Sequence, residues 1–144
     1  MGILKGLGLL EVLSDNELQD LEKFCQERKV LKGEKLFNEG DDANSLYFLK
    51  EGGVSIYKNV NGSEISIGEV LAEDILGEMA IFGGSGKRSA TAIANQDTIL
   101  IVIMSFSIKE ISNKNPALLK RIQEVIEHRI MINKTILSKK GKKV

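Results

Sequence analysis

Residues 53–71 read GVSIYKNVNGSEISIGEVL. Two runs of alternating apolar and polar residues flank Asn61-Gly62, a dipeptide whose members both tolerate positive φ, so the natural reading is a tight type I′ hairpin. The same texture continues in both directions. KVL, KLF and LYFL precede the hairpin, TAIA and TILIVI follow it, and Gly33, Gly40, Gly52 and Gly53 punctuate the turns. Seven or eight short strands with no long helix between them predict a mainly β fold, an antiparallel jelly roll over about residues 29–104.

Helices flank this roll. Ser14-Asp15-Asn16-Glu17 has the form of a capping box, and Leu18, Leu21 and Phe24 with Cys25 recur at helical spacing, which predicts a helix to about Glu27 with Cys25 as a small core residue on it. After Ser105 the helical period returns. Asn115-Pro116 supplies an N-cap and a first-turn proline for a last helix to about Ser138. Two stripes run along it, Leu118, Ile122, Val125, Ile132 and Ile136 on one and Leu119, Ile126, Ile130 and Leu137 on the other. One stripe can pack on the roll while the other covers a pocket or meets a second copy. The end, residues 139–144, is a basic tail read as solvated and frayed.

The totals bound the function. A chain of 144 residues with 42% hydrophobic content suits one domain, 1–144, whose helical N-terminus covers residues 1–28. Twenty basic and twenty acidic residues cancel, so no overall field recruits nucleic acid or an anionic membrane, and neither is expected as a partner. One cysteine and one histidine, Cys25 and His128, exclude an internal disulfide and a histidine-rich metal centre. The opening MGILKGLGLL is too short an apolar run for a signal sequence, and no stretch nears the roughly eighteen apolar residues of a membrane span. A cytoplasmic protein is expected.

The chemistry concentrates in GEMAIFGGSGKRSATA, residues 77–92. GGSGKRS imitates a triphosphate-binding loop but lacks its first glycine, where Ile81 stands, and its Ser or Thr after lysine, where Arg88 stands. What remains is a possible helical turn from Glu78, whose free N–H groups attract an anion, with the forked donors of Arg88 suited to phosphate oxygens. Ser89 and the amides of Ser89 and Ala90 add neutral donors. Glu78 would be repelled by a phosphate and should face a donor such as a sugar hydroxyl. The residues alone equally allow a surface Glu78–Arg88 ion pair worth about 0–1 kcal/mol.

This segment closely resembles the phosphate-binding cassette of the cyclic nucleotide-binding domain, the sensor module of cyclic AMP-dependent kinase regulatory subunits, cyclic nucleotide-gated channels and catabolite-activator regulators. LSDNEL resembles the family's opening helix and KGEKLFNEGDDANSLYFLKEGGVSIYK its first strands, with Gly40-Asp41, Tyr47 and Gly52 at recurring positions; the helix after Asn115-Pro116 falls where the family keeps its lid. The resemblance covers about residues 8–138. It implies that Glu78 accepts from the ribose 2′-hydroxyl, that Arg88 neutralises the cyclic phosphate, and that Gly77 permits close approach. It further implies that the amides of Met79, Ala80 and Ala90 meet ligand oxygens, that Ser89 contacts phosphate, and that Val54 and Val70 line the base pocket. Asn133 falls near positions that contact the purine edge. Cyclic AMP is the implied ligand, cyclic GMP the second choice that Ser89 leaves open, and no further cofactor is implied.

Two positions depart from the family pattern. Glu73 stands where glycine is usual, and Leu76 replaces the common aromatic before Gly77. The lid helix has no Trp or Tyr to stack on the base. Arg129 either pairs with Glu78 or another acid or lies exposed, and His128 is expected to be exposed or at a dimer face. With no general base, nucleophile or metal cluster in the pattern, the resemblance implies a receptor rather than an enzyme. It is expected to act in trans, through movement of its C-terminal helix against an effector protein or a second copy. The alternative is an interaction module that keeps the fold without the ligand.

Overall fold

The computed structural model describes Leu4 and residues 7–141 and, along the last helix, every side chain to Ile136 except that of Asn133. Eight strands form two four-stranded sheets in which every pairing is antiparallel. The first runs in the order β1 (Cys25–Val30), β8 (Thr98–Met104), β3 (Ser45–Glu51), β6 (Ile75–Leu76). The second runs β2 (Lys35–Phe37), β7 (Thr91–Ala94), β4 (Gly53–Val60), β5 (Ser63–Leu71). Asn61 and Gly62 join β4 to β5 with φ of 53° and 85°, between the partners Val60 and Ser63. That geometry is the type I′ turn the dipeptide favours.

The central strands β8 and β3 of the first sheet are covered on both faces, which is why LYFL and ILIVI read as continuous apolar runs rather than alternations. Side chains change face at every residue along a strand. Tyr47, Leu49 and Leu100 therefore meet Val54, Val70, Ala92 and Ala94 of the second sheet, while Leu46, Phe48, Ile101 and Ile103 meet the helices. Those helices are α1 (Asp15–Glu22), α3 (Ser105–Lys114) and α4 (Pro116–Gly141). A five-residue turn, α2 (Glu78–Phe82), follows β6.

The capping box of α1 forms as expected. Glu17 N–H donates to Ser14 Oγ at 3.2 Å and Ser14 N–H to Glu17 Oε1 at 3.0 Å. The helix stops at Glu22, however, well before Glu27. Residues 25–30 are taken by pairing with β8, from Cys25 opposite Ile103 to Val30 opposite Thr98, and this ladder overrides a weak local helical pattern. Cys25 is thus a half-buried strand residue whose Sγ donates to the Leu21 carbonyl at 3.2 Å. Burial, assisted by the charge of Glu22, pushes its thiol up to about 12, so it stays protonated and unreactive at neutral pH.

Asn115 caps α4, its Oδ1 accepting from Leu118 N–H at 3.3 Å, while its amide donates to the Val12 carbonyl at 3.1 Å. Arg121 donates to the Gly8 carbonyl at 2.8 Å, so the first half of α4 is fastened to the N-terminal segment. Leu118 and Ile122 are wholly buried there, whereas Ile130, Met131 and Ile132 are exposed. The helix continues to Gly141, past the expected end near Ser138, and the side chains of the basic tail lie outside the described residues. Among the described residues no helix is long and apolar enough to cross a membrane.

Glu73 explains the glycine that the family resemblance led one to expect. It sits at φ 73°, in the left-handed region, with its N–H donating to the Leu49 carbonyl at 2.6 Å and its side chain in solvent. A left-handed non-glycine residue costs about 1–2 kcal/mol, part of which glycine loses again through chain entropy. Glu73→Gly should therefore stabilise the fold by about 0.5–1 kcal/mol, read from the midpoint of urea unfolding.

Candidate functional site

Gly77 ends β6 with φ 88°, and a Cβ built on it would lie 2.5 Å from Arg88 Nη1. Both the conformation and the close approach demand glycine. The turn it allows delivers Glu78 as the first residue of α2, only 1% exposed. Across the loop Arg88 is 4% exposed, set against the stacked rings of Phe37 and Tyr47, whose centroids lie 4.3 and 5.5 Å from its Cζ. Its Nη2 donates to the Ser45 carbonyl at 2.8 Å and its Nη1 to the Gly77 carbonyl at 3.4 Å. The two residues that open the question of a surface ion pair are therefore both buried. They form no ion pair with each other, and Arg88 has no carboxylate partner among the described residues.

Glu78 is instead met from α4. Arg129 Nη1 donates to Glu78 Oε1 at 2.5 Å, while its Nη2 donates to the Ile75 carbonyl at 2.5 Å and lies 3.1 Å from Asp74 Oδ1. One carboxylate oxygen is thereby occupied. The other, Oε2, is buried without a donor, and the Nε of Arg88 is buried without an acceptor. Native structures rarely leave such groups unmatched unless a ligand or water meets them.

Both residues line one cavity of about 260 Å³. Gly77, Met79, Ala80, Ser89, Ala90 and Val70 line it too, so the cassette residues and one of the two expected base-pocket valines converge on a single space. Val54 does not reach it. Its side chain is wholly buried between the sheets, and it pairs with Ala94 at the end of β7 away from the cassette; Ile56, two residues along and opposite Ala92, forms that wall instead. Leu76, the departure from the family's aromatic, lines it as well, and so do Phe37, Ile67, Gly68, Glu69 and Asp74, to which the sequence pattern assigns no role. Strand alternation puts Ile56 on the same face as Val54, while Phe37 is brought in by the pairing of β2 with β7, opposite Ala92. From α4 come His128, exposed as expected yet lining the cavity, together with Arg129 and Ile132. Asn133 follows Arg129 by one helical turn, and its side chain lies outside the described residues.

Burial pushes the Glu78 carboxyl above its ordinary 4.5, against the opposing pull of the Arg129 guanidinium. Burial likewise lowers the Arg88 guanidinium from its ordinary value. The sign for Glu78 is fixed by linkage: the folded chain holds this proton at a pH where the unfolded chain has released it, so stability falls as pH rises above about 4.5 and levels off beyond the folded-state value. Glu78→Gln should flatten that part of the profile, as measured by urea unfolding at closely spaced pH values between about 4 and 8.

Comparison with known proteins bears on the fold and the family. The profile of the cyclic nucleotide-binding domain matches residues 27–115. The electron transport regulator A of Shewanella oneidensis is 30% identical over 135 residues, covering 90% of this chain and 53% of that protein. The fumarate and nitrate reduction regulatory protein of Escherichia coli is 30% identical over 120 residues, covering 82% and 47%. The chain thus spans about half the length of these curated relatives. The sensor domain of the transcriptional regulator DNR from Pseudomonas aeruginosa shares the fold with a TM-score of 0.75 at 24% identity, over 84% of this chain and 86% of that one. With its roll, cassette and helical cover arranged in this way, the chain belongs to the cyclic nucleotide-binding domain family.

Proposed function

We propose that this domain is a cyclic nucleotide sensor, with cyclic AMP as its ligand and cyclic GMP the weaker alternative, and that it signals in trans through α4. One observation carries the reading. A buried guanidinium with no carboxylate partner and a buried carboxylate oxygen with no donor face one partly apolar cavity. A buried charge of that kind needs a counter-charge, and a buried acceptor needs a donor. A cyclic phosphate beside a ribose hydroxyl supplies both in one rigid molecule.

In this reading the phosphate is met by Arg88, Ser89 and the Ala90 amide, and the 2′-hydroxyl donates to Glu78 Oε2. Gly77, Met79 and Ala80 bring the backbone close to the ribose and phosphate oxygens. The base lies against Ile56, Ile67 and Val70, with His128, Ile132 and Asn133 on the α4 side. Arg129 ties α4 to the same carboxylate that receives the ribose, so ligand and helix share Glu78. Binding at one then biases the other by an equal and reciprocal free energy. The exposed Ile130, Met131 and Ile132 give α4 a surface through which an effector or a second copy can read its position.

Calorimetric titration with cyclic AMP and cyclic GMP tests the reading. Arg88→Ala should weaken binding by roughly 2–5 kcal/mol, the range for removing one partner of a buried charged pair. Its melting curve must still show a folded protein, since the Ser45 and Gly77 carbonyls lose a donor. The 2′-deoxy analogue should bind the unaltered protein about tenfold or more weakly, because Oε2 again lacks a donor. Heat from neither nucleotide, after denaturing and refolding to strip bound ligand, would leave the interaction module as the function.

A further inference from the structure

One polar cluster meets the cassette at Ser89. Lys58, on β4, donates from Nζ to the Ser89 carbonyl at 2.7 Å and lies 3.7 Å from Glu39 Oε2. Glu39 is fixed in turn: its Oε1 accepts from Asn59 N–H at 2.8 Å and its own N–H donates to Thr91 Oγ1 at 2.9 Å. Lys58 is thus held between a carboxylate and the carbonyl of the residue next to Arg88. Only about a third of its side chain is in solvent, at 33% relative exposure.

The consequence lies in the Ser89–Ala90 peptide. No cis bond occurs among the described residues, so this unit is trans, and its carbonyl and the following N–H point in opposite directions. Holding the Ser89 carbonyl toward Lys58 turns the Ala90 N–H away from it. Ala90 is 7% exposed and lines the cavity, and outside the strand ladders neither a carbonyl nor a side chain takes up that N–H. An ammonium on a carbonyl oxygen also draws charge along the peptide and strengthens the N–H as a donor.

Building on the cyclic nucleotide reading, we infer that Lys58 is a positioning residue for the anion subsite: from β4 it orients and polarises the Ser89–Ala90 peptide so that the Ala90 N–H serves the ligand phosphate. It acts through the peptide and touches no ligand.

The test compares Lys58→Met and Lys58→Arg with the unaltered chain by cyclic AMP calorimetry, melting temperature and the Ala90 amide resonance in ligand-free protein. Lys58→Met should weaken cyclic AMP by about tenfold, the loss of one charge-assisted hydrogen bond, and displace the Ala90 resonance. Its melting temperature should stay within about 2 °C, as for a surface change, and Lys58→Arg should recover most of the affinity. Binding by Lys58→Met within about twofold of the unaltered chain would overturn the inference, as would a weakened affinity with the Ala90 resonance unmoved. If the unaltered chain binds no cyclic nucleotide, the proposed function fails by itself. The resonance then decides the role of Lys58 in orienting the peptide, which stands if Ala90 shifts and falls if it does not.

Discussion

The buried guanidinium of Arg88 is the constraint around which the site is built. It draws on β3 through the Ser45 carbonyl and the Tyr47 ring, on the second sheet through Phe37, and on the turn before α2 through the Gly77 carbonyl. A cation in that place ties the two sheets and the cassette together. It also forbids any side chain at Gly77, because the guanidinium fills the space a Cβ would need. Neutral partners stabilise it only in part, since carbonyl dipoles and aromatic faces solvate a charge without cancelling it. The same arrangement that organises the loop therefore leaves an electrostatic demand that an anion in the cavity would meet.

Glu78 shows the complementary situation. Its burial disfavours the charged form, and Arg129 reaches across from α4 to favour it. Arg129 thus ties the last helix to the cassette turn through Glu78, with Asp74 and the Ile75 carbonyl beside it. The first half of α4 is held otherwise, because Leu118 and Ile122 are core residues and Asn115 and Arg121 bond to the N-terminal segment. Beyond Val125 the helix leaves the core, and Arg129 is the polar contact that brings it to the cavity. A helix anchored at one end and held at the other through one arginine has the mechanical form of a lever.

Much of this was legible before folding. Asn61-Gly62, the capping box at Ser14, Asn115-Pro116 and the alternating strands announce themselves because they rest on local backbone preferences, which act over three or four residues. The cassette was legible for a different reason: Gly77, Glu78, Arg88 and Ser89 are contiguous enough for a family pattern to be recognised in them. The end of α1 was not, because residues 25–30 follow a partner strand some seventy-five positions away rather than their own weak periodicity. Nor was the cavity wall, where strand register and not residue type puts Ile56 on the cavity and Val54 in the core.

By itself, then, the sequence determined the mainly β class, the turns and caps, and the identity of the charged pair in the cassette, all of which follow from short-range chemistry. Tertiary structure decided that Glu78 and Arg88 would each be buried and apart, one bonded to Arg129 and the other set against two rings and bonded to two carbonyls. It also set Lys58 against the Ser89 carbonyl. These outcomes depend on sheet closure and helix docking, which bring together residues from distant parts of the chain, and no local preference encodes such distances.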